Sequence, residues 1–113
     1  MKAYLKGYRV SAQKARLVVD QIRGKGVEDA LTLLSLSTKR FARPLAKLVR
    51  SAVANAQEKN NREKAGIDLD NLVVKTVMVD EGSRSWRIMP RAQGRAAWIA
   101  RKSAHVTVEL GER

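Results

Sequence analysis

The sequence contains no cysteine, which excludes a disulfide framework, a zinc ribbon and thiol catalysis. Aromatic residues make up only 4% of the chain, so the core must be built from Val, Leu, Ile and Ala and will be modest. No stretch approaches the ~18 consecutive apolar residues that a membrane span requires. Met1 to Val10 carries Lys2, Lys6 and Arg9 without the apolar run of a signal peptide, and the expectation is a soluble intracellular protein. Acids are also scarce, with 11 Asp and Glu against 23 Lys and Arg, a net charge of +12.

What is present fits one compact domain. The length is 113 residues, and a 44% hydrophobic fraction argues against wholesale disorder. An isoelectric point near 10.8 on so small a body exceeds what solubility demands, and a polyanionic partner, most commonly nucleic acid, accounts for it. The positive charge is grouped. Met1 to Arg16 holds five basic residues and no acid, Lys39 to Arg50 another five, and Ser83 to Lys102 six. Three acid-free zones imply a surface touched in several places, where a single charged tail would touch one.

The first half reads as helical. Ser11 is placed to cap a helix whose stripe is Ala15, Val18, Val19 and Ile22, and Gly24 supplies a left-handed stop. Val27, Ala30, Leu31 and Leu34 repeat the spacing, with Glu28 and Asp29 near the positive helix start. Ser37 or Thr38 is the expected cap of a third, longer helix with the stripe Ala42, Leu45, Ala46, Val49, Val53 and Ala56. Pro44 must then lie in its first turn or two. The second half changes period. Leu72 to Val79 is rich in β-branched residues, and Ala104, Val106, Val108 and Leu110 alternate with His105, Thr107 and Glu109. An antiparallel pair with its turn near Ala92 sets Lys75 opposite Glu109 and Trp86 opposite Trp98. Tyr4 to Val10 adds an edge strand. The expected fold is α+β, three helices packed on a small antiparallel sheet of about three strands, with a long protruding β-hairpin.

That hairpin, about 83–102, carries Arg84, Arg87, Arg91, Arg95, Arg101 and Lys102 and few residues able to form a core. It should project roughly 25–30 Å at ~3.3 Å per residue. A two-stranded ribbon is marginal alone in water, so a partner should hold it, and guanidinium groups at this spacing suit phosphates. Lys39, Arg40, Arg43, Lys47 and Arg50 recur at three- to four-residue steps and fit one polar helical face. No catalytic constellation emerges. Asp80 and Glu81 point to opposite faces of a strand, and Arg23-Gly24-Lys25-Gly26 lacks the ending of a phosphate loop. The lone His105, on an alternating strand, reads as structural or phosphate-contacting. No metal site or cofactor is expected, and no membrane or small-molecule substrate.

Several segments are also similar to a known family. Ser11-Ala-Gln-Lys-Ala-Arg-Leu-Val-Val-Asp20, with Ile22-Arg-Gly-Lys25, resembles the first helix of the large ribosomal subunit protein twenty-two family. Ser51-Ala-Val-Ala-Asn-Ala56 resembles its long helix and Val79-Asp-Glu-Gly82 the approach to its hairpin. Arg87-Ile-Met-Pro-Arg-Ala-Gln-Gly-Arg-Ala96 resembles the hairpin tip, and Ser103-Ala-His-Val-Thr-Val108 the returning strand. The resemblance covers nearly the whole chain in order, and Trp86 and Gln93 depart from it where basic residues are common.

The resemblance implies a non-enzymatic, cytoplasmic ribosomal component that binds large-subunit ribosomal RNA and acts early in subunit assembly. Its body would sit near the peptide exit beside neighbouring ribosomal proteins, and its hairpin would line the nascent-chain tunnel. Residues 1–113 would then form one rRNA-binding domain. The candidate RNA contacts are Lys2, Lys6, Arg9, Lys14, Arg16, Arg23, Lys25, Lys39, Arg40, Arg84, Arg87, Arg91, Arg95, Arg101, Lys102 and His105. The candidate tunnel-lining tip, which would meet the nascent polypeptide, is Ile88, Met89, Pro90, Arg91, Ala92, Gln93 and Gly94. The alternative reading is a DNA-bending architectural protein, since such proteins also use basic β-arms with an apolar wedge.

Overall fold

The computed structural model describes residues 2–63, 66, 69–90 and 92–112. Strand β1 (Lys2–Tyr8) leads into helices α1 (Ala12–Ile22), α2 (Val27–Leu36) and α3 (Ala42–Glu63). Strands β2 (Leu72–Pro90) and β3 (Ala96–Glu112) follow, joined by a short 3-10 turn, Ala92–Gly94. The sheet is antiparallel in the order β1-β3-β2, so the last strand runs between the other two.

The helices form where the apolar spacing placed them. Ser11 Oγ accepts from the Lys14 amide at 3.3 Å and caps α1, whose Ala15, Val18, Val19 and Ile22 are all buried. Gly24, at φ +79°, turns the chain after α1. The loop then pairs with β2: the Gly24 amide donates to the Val74 carbonyl at 2.9 Å, and the Val74 amide donates to the Lys25 carbonyl at 2.8 Å.

Helix α3 departs from expectation at its start. Ser37 ends α2 and its hydroxyl accepts from the Lys39 amide at 3.2 Å, so neither Ser37 nor Thr38 caps α3, which begins at Ala42. Pro44 then falls in the first turn, where its missing amide would have had no helical partner anyway. The buried arc is wider than the predicted stripe. Leu48 and Ala52 are buried with Leu45, Val49 and Ala56, whereas Val53 is only half-buried.

One face of the sheet carries the core. Leu72, Val74, Val77 and Val79 of β2 and Ala104, Val106, Val108 and Leu110 of β3 meet the helical residues in one buried cluster. The three-residue step from Val74 to Val77 marks a bulge at Lys75, and a second bulge lies between Glu81 and Arg84. Each inserts one residue into β2 and shifts everything beyond it. The register expected from a regular ladder is therefore corrected: Thr76 faces Glu109, Trp86 faces Ala100 and Trp98 faces Ile88. The turn centres on Gln93 and not Ala92, with Gln93 and Gly94 at φ 64° and 71°.

Beyond the second bulge β2 and β3 leave the body as a bare ribbon. No described residue from Asp80 to Ser103 is buried. The molecule measures 65 × 27 × 16 Å, and its radius of gyration is 17.5 Å. A compact chain of this length would have about 13 Å. The arm accounts for the difference.

Candidate nucleic-acid interface

Every described Lys and Arg expected to contact RNA is exposed, while His105 is half-buried. Arg91 lies outside the described residues. Among the described residues, only Arg23, Arg62 and Arg84 pair with a carboxylate: Asp20 at 2.7 Å, Glu58, and Glu81 at 3.3 Å respectively. These pairs are exposed neighbours in sequence and neutralise little. The remaining described Lys and Arg have no carboxylate partner.

The structure joins the first and third basic zones at the root of the arm. Lys14 and Arg16 at the start of α1 and Arg84 and Lys102 of the arm line one concavity of about 540 Å³, with Ser11 and Ser103 between them. The amide dipoles of the α1 N-terminus add partial positive charge there, and Glu81 is the acid in the lining. Gly82 makes the junction possible. A β-carbon on it would stand 2.5 Å from Ser103 Oγ and 3.2 Å from His105 Nε2. Ser103 Oγ donates to the Ser83 carbonyl at 2.8 Å, which pins the bulge.

His105 holds the other side of this joint. Its Nδ1 accepts from the Gly7 amide at 2.8 Å, which ties β1 at its own irregularity to β3. Two of the expected RNA contacts also serve the fold. Arg16 Nη2 donates to the Val79 carbonyl at 3.0 Å and Arg23 Nη2 to the Val77 carbonyl at 2.8 Å. Both carbonyls belong to β2, an edge strand, so the two guanidinium groups cover an edge that would otherwise be open to pairing. Sequence periodicity carries no signal for these bonds.

The second zone stands apart. Lys39 and Arg40, in the loop before α3, line a wide groove with Arg43, Lys47 and Arg50 of that helix. Its apolar walls are Leu31 and Leu34 of α2 and Tyr4, Leu5 and Tyr8 of β1, and the groove of about 1480 Å³ has no acid in its lining. Tyr8 is set by its tilted contact with Phe41, ring centroids 5.7 Å apart. Arg43, Lys47 and Arg50 were legible only as a helical charge face; the groove gives them a common position. Lys2, Lys6, Arg9 and Lys25 lie outside both concavities.

On the arm, the register sorts side chains onto two faces. Residues paired across the strands share a face, as do residues two apart along one strand. Arg84, Trp86 and Ile88 therefore lie with Lys102, Ala100 and Trp98, while Ser85, Arg87 and Met89 lie with Arg101, Ile99 and Ala97. Arg95 sits at the turn.

Such an arrangement suits a polyanion. It offers cations without carboxylate partners in separate patches, two of them concave, and a basic arm that extends beyond the body. Among the described residues no group of three or more His, Asp or Glu is placed to hold a metal ion, and no helix is long and apolar enough to cross a membrane. Residues 3–111 match the family model described as ribosomal protein L22p/L17e, and the chain belongs to that family of large-subunit ribosomal proteins.

Proposed function

We propose that the chain is an rRNA-binding structural protein that joins the large subunit early in assembly and lines the nascent-peptide tunnel with its arm. Its body would sit as one rRNA-binding domain near the tunnel exit, beside other large-subunit proteins, on the cytoplasmic ribosome. The observation that carries this reading is the arm. None of its described residues is buried, it has no acid from Ser83 to Lys102, and a two-stranded ribbon without a covering layer is marginal in water. Phosphates on several sides would supply the missing order. The tip, Ile88 to Gly94, would then present a weakly apolar surface to a passing chain.

The test is a photoreactive group at Ala92 in assembled subunits. Capture of nascent chain together with tunnel RNA supports the reading, and labelling that captures neither overturns the placement of the tip. A second variant lacking residues 85–96 should still fold and still co-sediment with large subunits, because two basic zones remain. Loss of co-sedimentation there would mean that the arm, and not the body, recruits the protein.

A further inference from the structure

The arm carries a feature that phosphate binding does not explain. Both tryptophans of the chain are on it, and they are its most prominent uncharged side chains. Trp86 is 54% exposed, Ile88 60% and Trp98 68%. The register places all three on one face, with Trp98 opposite Ile88 and diagonal to Trp86. Diagonal neighbours stand ~7–8 Å apart, within reach of one another. The rings nevertheless do not stack together, since the ring contact among the described residues is Tyr8 with Phe41. Each indole is therefore more than half exposed and stacked on no other ring among the described residues, an apolar surface in water that folding alone does not favour.

We infer that Trp86 and Trp98 form a stacking platform for two unpaired bases of RNA, a binding site built into the side of the arm. This rests on the RNA-binding reading above and specifies its ligand. The surroundings select the occupant. Arg84 and Lys102 share the tryptophan face, and Arg87 and Arg101 occupy the opposite one. A ligand that offers flat apolar rings and negative charge together is a nucleic acid strand. In a duplex the π-faces are already stacked, so the site takes single-stranded nucleotides, whose bases stack on aromatic side chains while cations follow the backbone. Trp86 and Trp98 set the bases, Arg84 and Lys102 take the flanking phosphates, and Ile88 fills the space beside Trp98.

Because the chain has no other tryptophan, its tryptophan emission, excited selectively over Tyr4 and Tyr8, reports on this face alone. The full-length protein is titrated with a short oligoadenylate and with an RNA duplex of equal phosphate number. Quenching by the oligoadenylate, exceeding that by the duplex, supports the site. Trp86→Ala and Trp98→Ala should each weaken oligoadenylate binding on the order of tenfold, whereas Trp→Phe at either position should retain most of the affinity. The dependence of log K on log salt should be unchanged in these variants, because no phosphate contact is removed. Wild-type affinity in the doubly Ala-substituted chain, read by the anisotropy of a dye-labelled oligoadenylate because no tryptophan remains, overturns the platform and leaves the RNA-binding reading standing. Failure of the wild-type chain to bind any RNA at low salt overturns both. Emission that shifts with protein concentration alone, alongside sedimentation as a dimer, overturns the platform by assigning this face to a second copy.

Discussion

Strands β2 and β3 run through both parts of the molecule. In the body, Val74, Val77, Val106 and Val108 are almost completely shielded. From Arg84 to Pro90 and Ala96 to Lys102 the same two strands continue as a regular ladder, yet no described residue of the arm is buried. Hydrogen bonding is alike in the two stretches; what differs is whether helices cover one face. The body has α1 and α3 against its sheet and holds itself together through apolar burial. The arm has only the ladder, and an isolated two-stranded ribbon is marginal in water. Continuity of secondary structure thus says little about where stability resides.

The contrast can be broken from either side. The largest effect should come from charge. If about eight cations meet phosphates, log K for RNA should fall against log salt with a slope of roughly −6 to −7. Replacing Arg84, Arg87, Arg101 and Lys102 together by Ser should reduce that slope by about three and leave thermal melting unchanged. A shifted melting temperature would show that the arm contributes to the body's stability after all.

Truncation within the body should act in the opposite manner. Val49→Ala removes fully buried methyl groups and should cost ~1–3 kcal/mol in denaturant unfolding. Val53→Ala, at a half-buried position, should cost distinctly less. Equal costs for the two would place the buried arc of α3 wrongly. RNA affinity at fixed salt should be little changed in both, provided the variants are folded.

The joint between the two parts should give an intermediate result. Gly82→Ala forces Ser103 Oγ away from a β-carbon it would meet at 2.5 Å, and with it goes the bond to the Ser83 carbonyl. One exposed hydrogen bond is worth ~0.5–1.5 kcal/mol, so unfolding should shift by about that amount. Cross-strand NOEs at Ser83 and Ser103 should be lost while those within the body persist. Unaltered NOEs would show that the glycine is not what shapes the bulge.

The smallest effect belongs to the tip. Gly94 has φ +71° with open space around it, so Gly94→Ala meets no neighbouring atom and only the left-handed backbone penalty, roughly 1 kcal/mol, remains. That penalty should appear as increased hydrogen exchange in the arm and not in global melting. Global destabilisation would mean that turn and core fold as one cooperative unit.

Much of this was written locally in the chain. The stripe of α1, the Ser11 cap, the alternation of Ala104 to Leu110 and the three acid-free zones all follow from spacing, because helices and strands repeat at fixed periods. Composition alone, basic and poor in aromatics, already pointed to a polyanion, and the order of the motifs pointed to the family. Register did not follow. The bulges at Lys75 and at Gly82–Ser83 each add a residue to one strand, and a bulge exists only relative to a partner that the local sequence does not name.

Tertiary structure also divided the cations by role. Arg16 and Arg23 look like any other members of their zones, yet their guanidinium groups reach carbonyls 63 and 54 residues away on an edge strand. His105 is tied to Gly7 across 98 residues of sequence. Arg43, Lys47 and Arg50 became part of a groove only once β1 closed its far wall, and Trp86 and Trp98, expected opposite one another, became diagonal neighbours only once the two bulges had set the register. Periodicity determines which face a side chain occupies within its own element. Which elements meet, and which donor then finds which acceptor, is decided by the packing of residues distant in the chain.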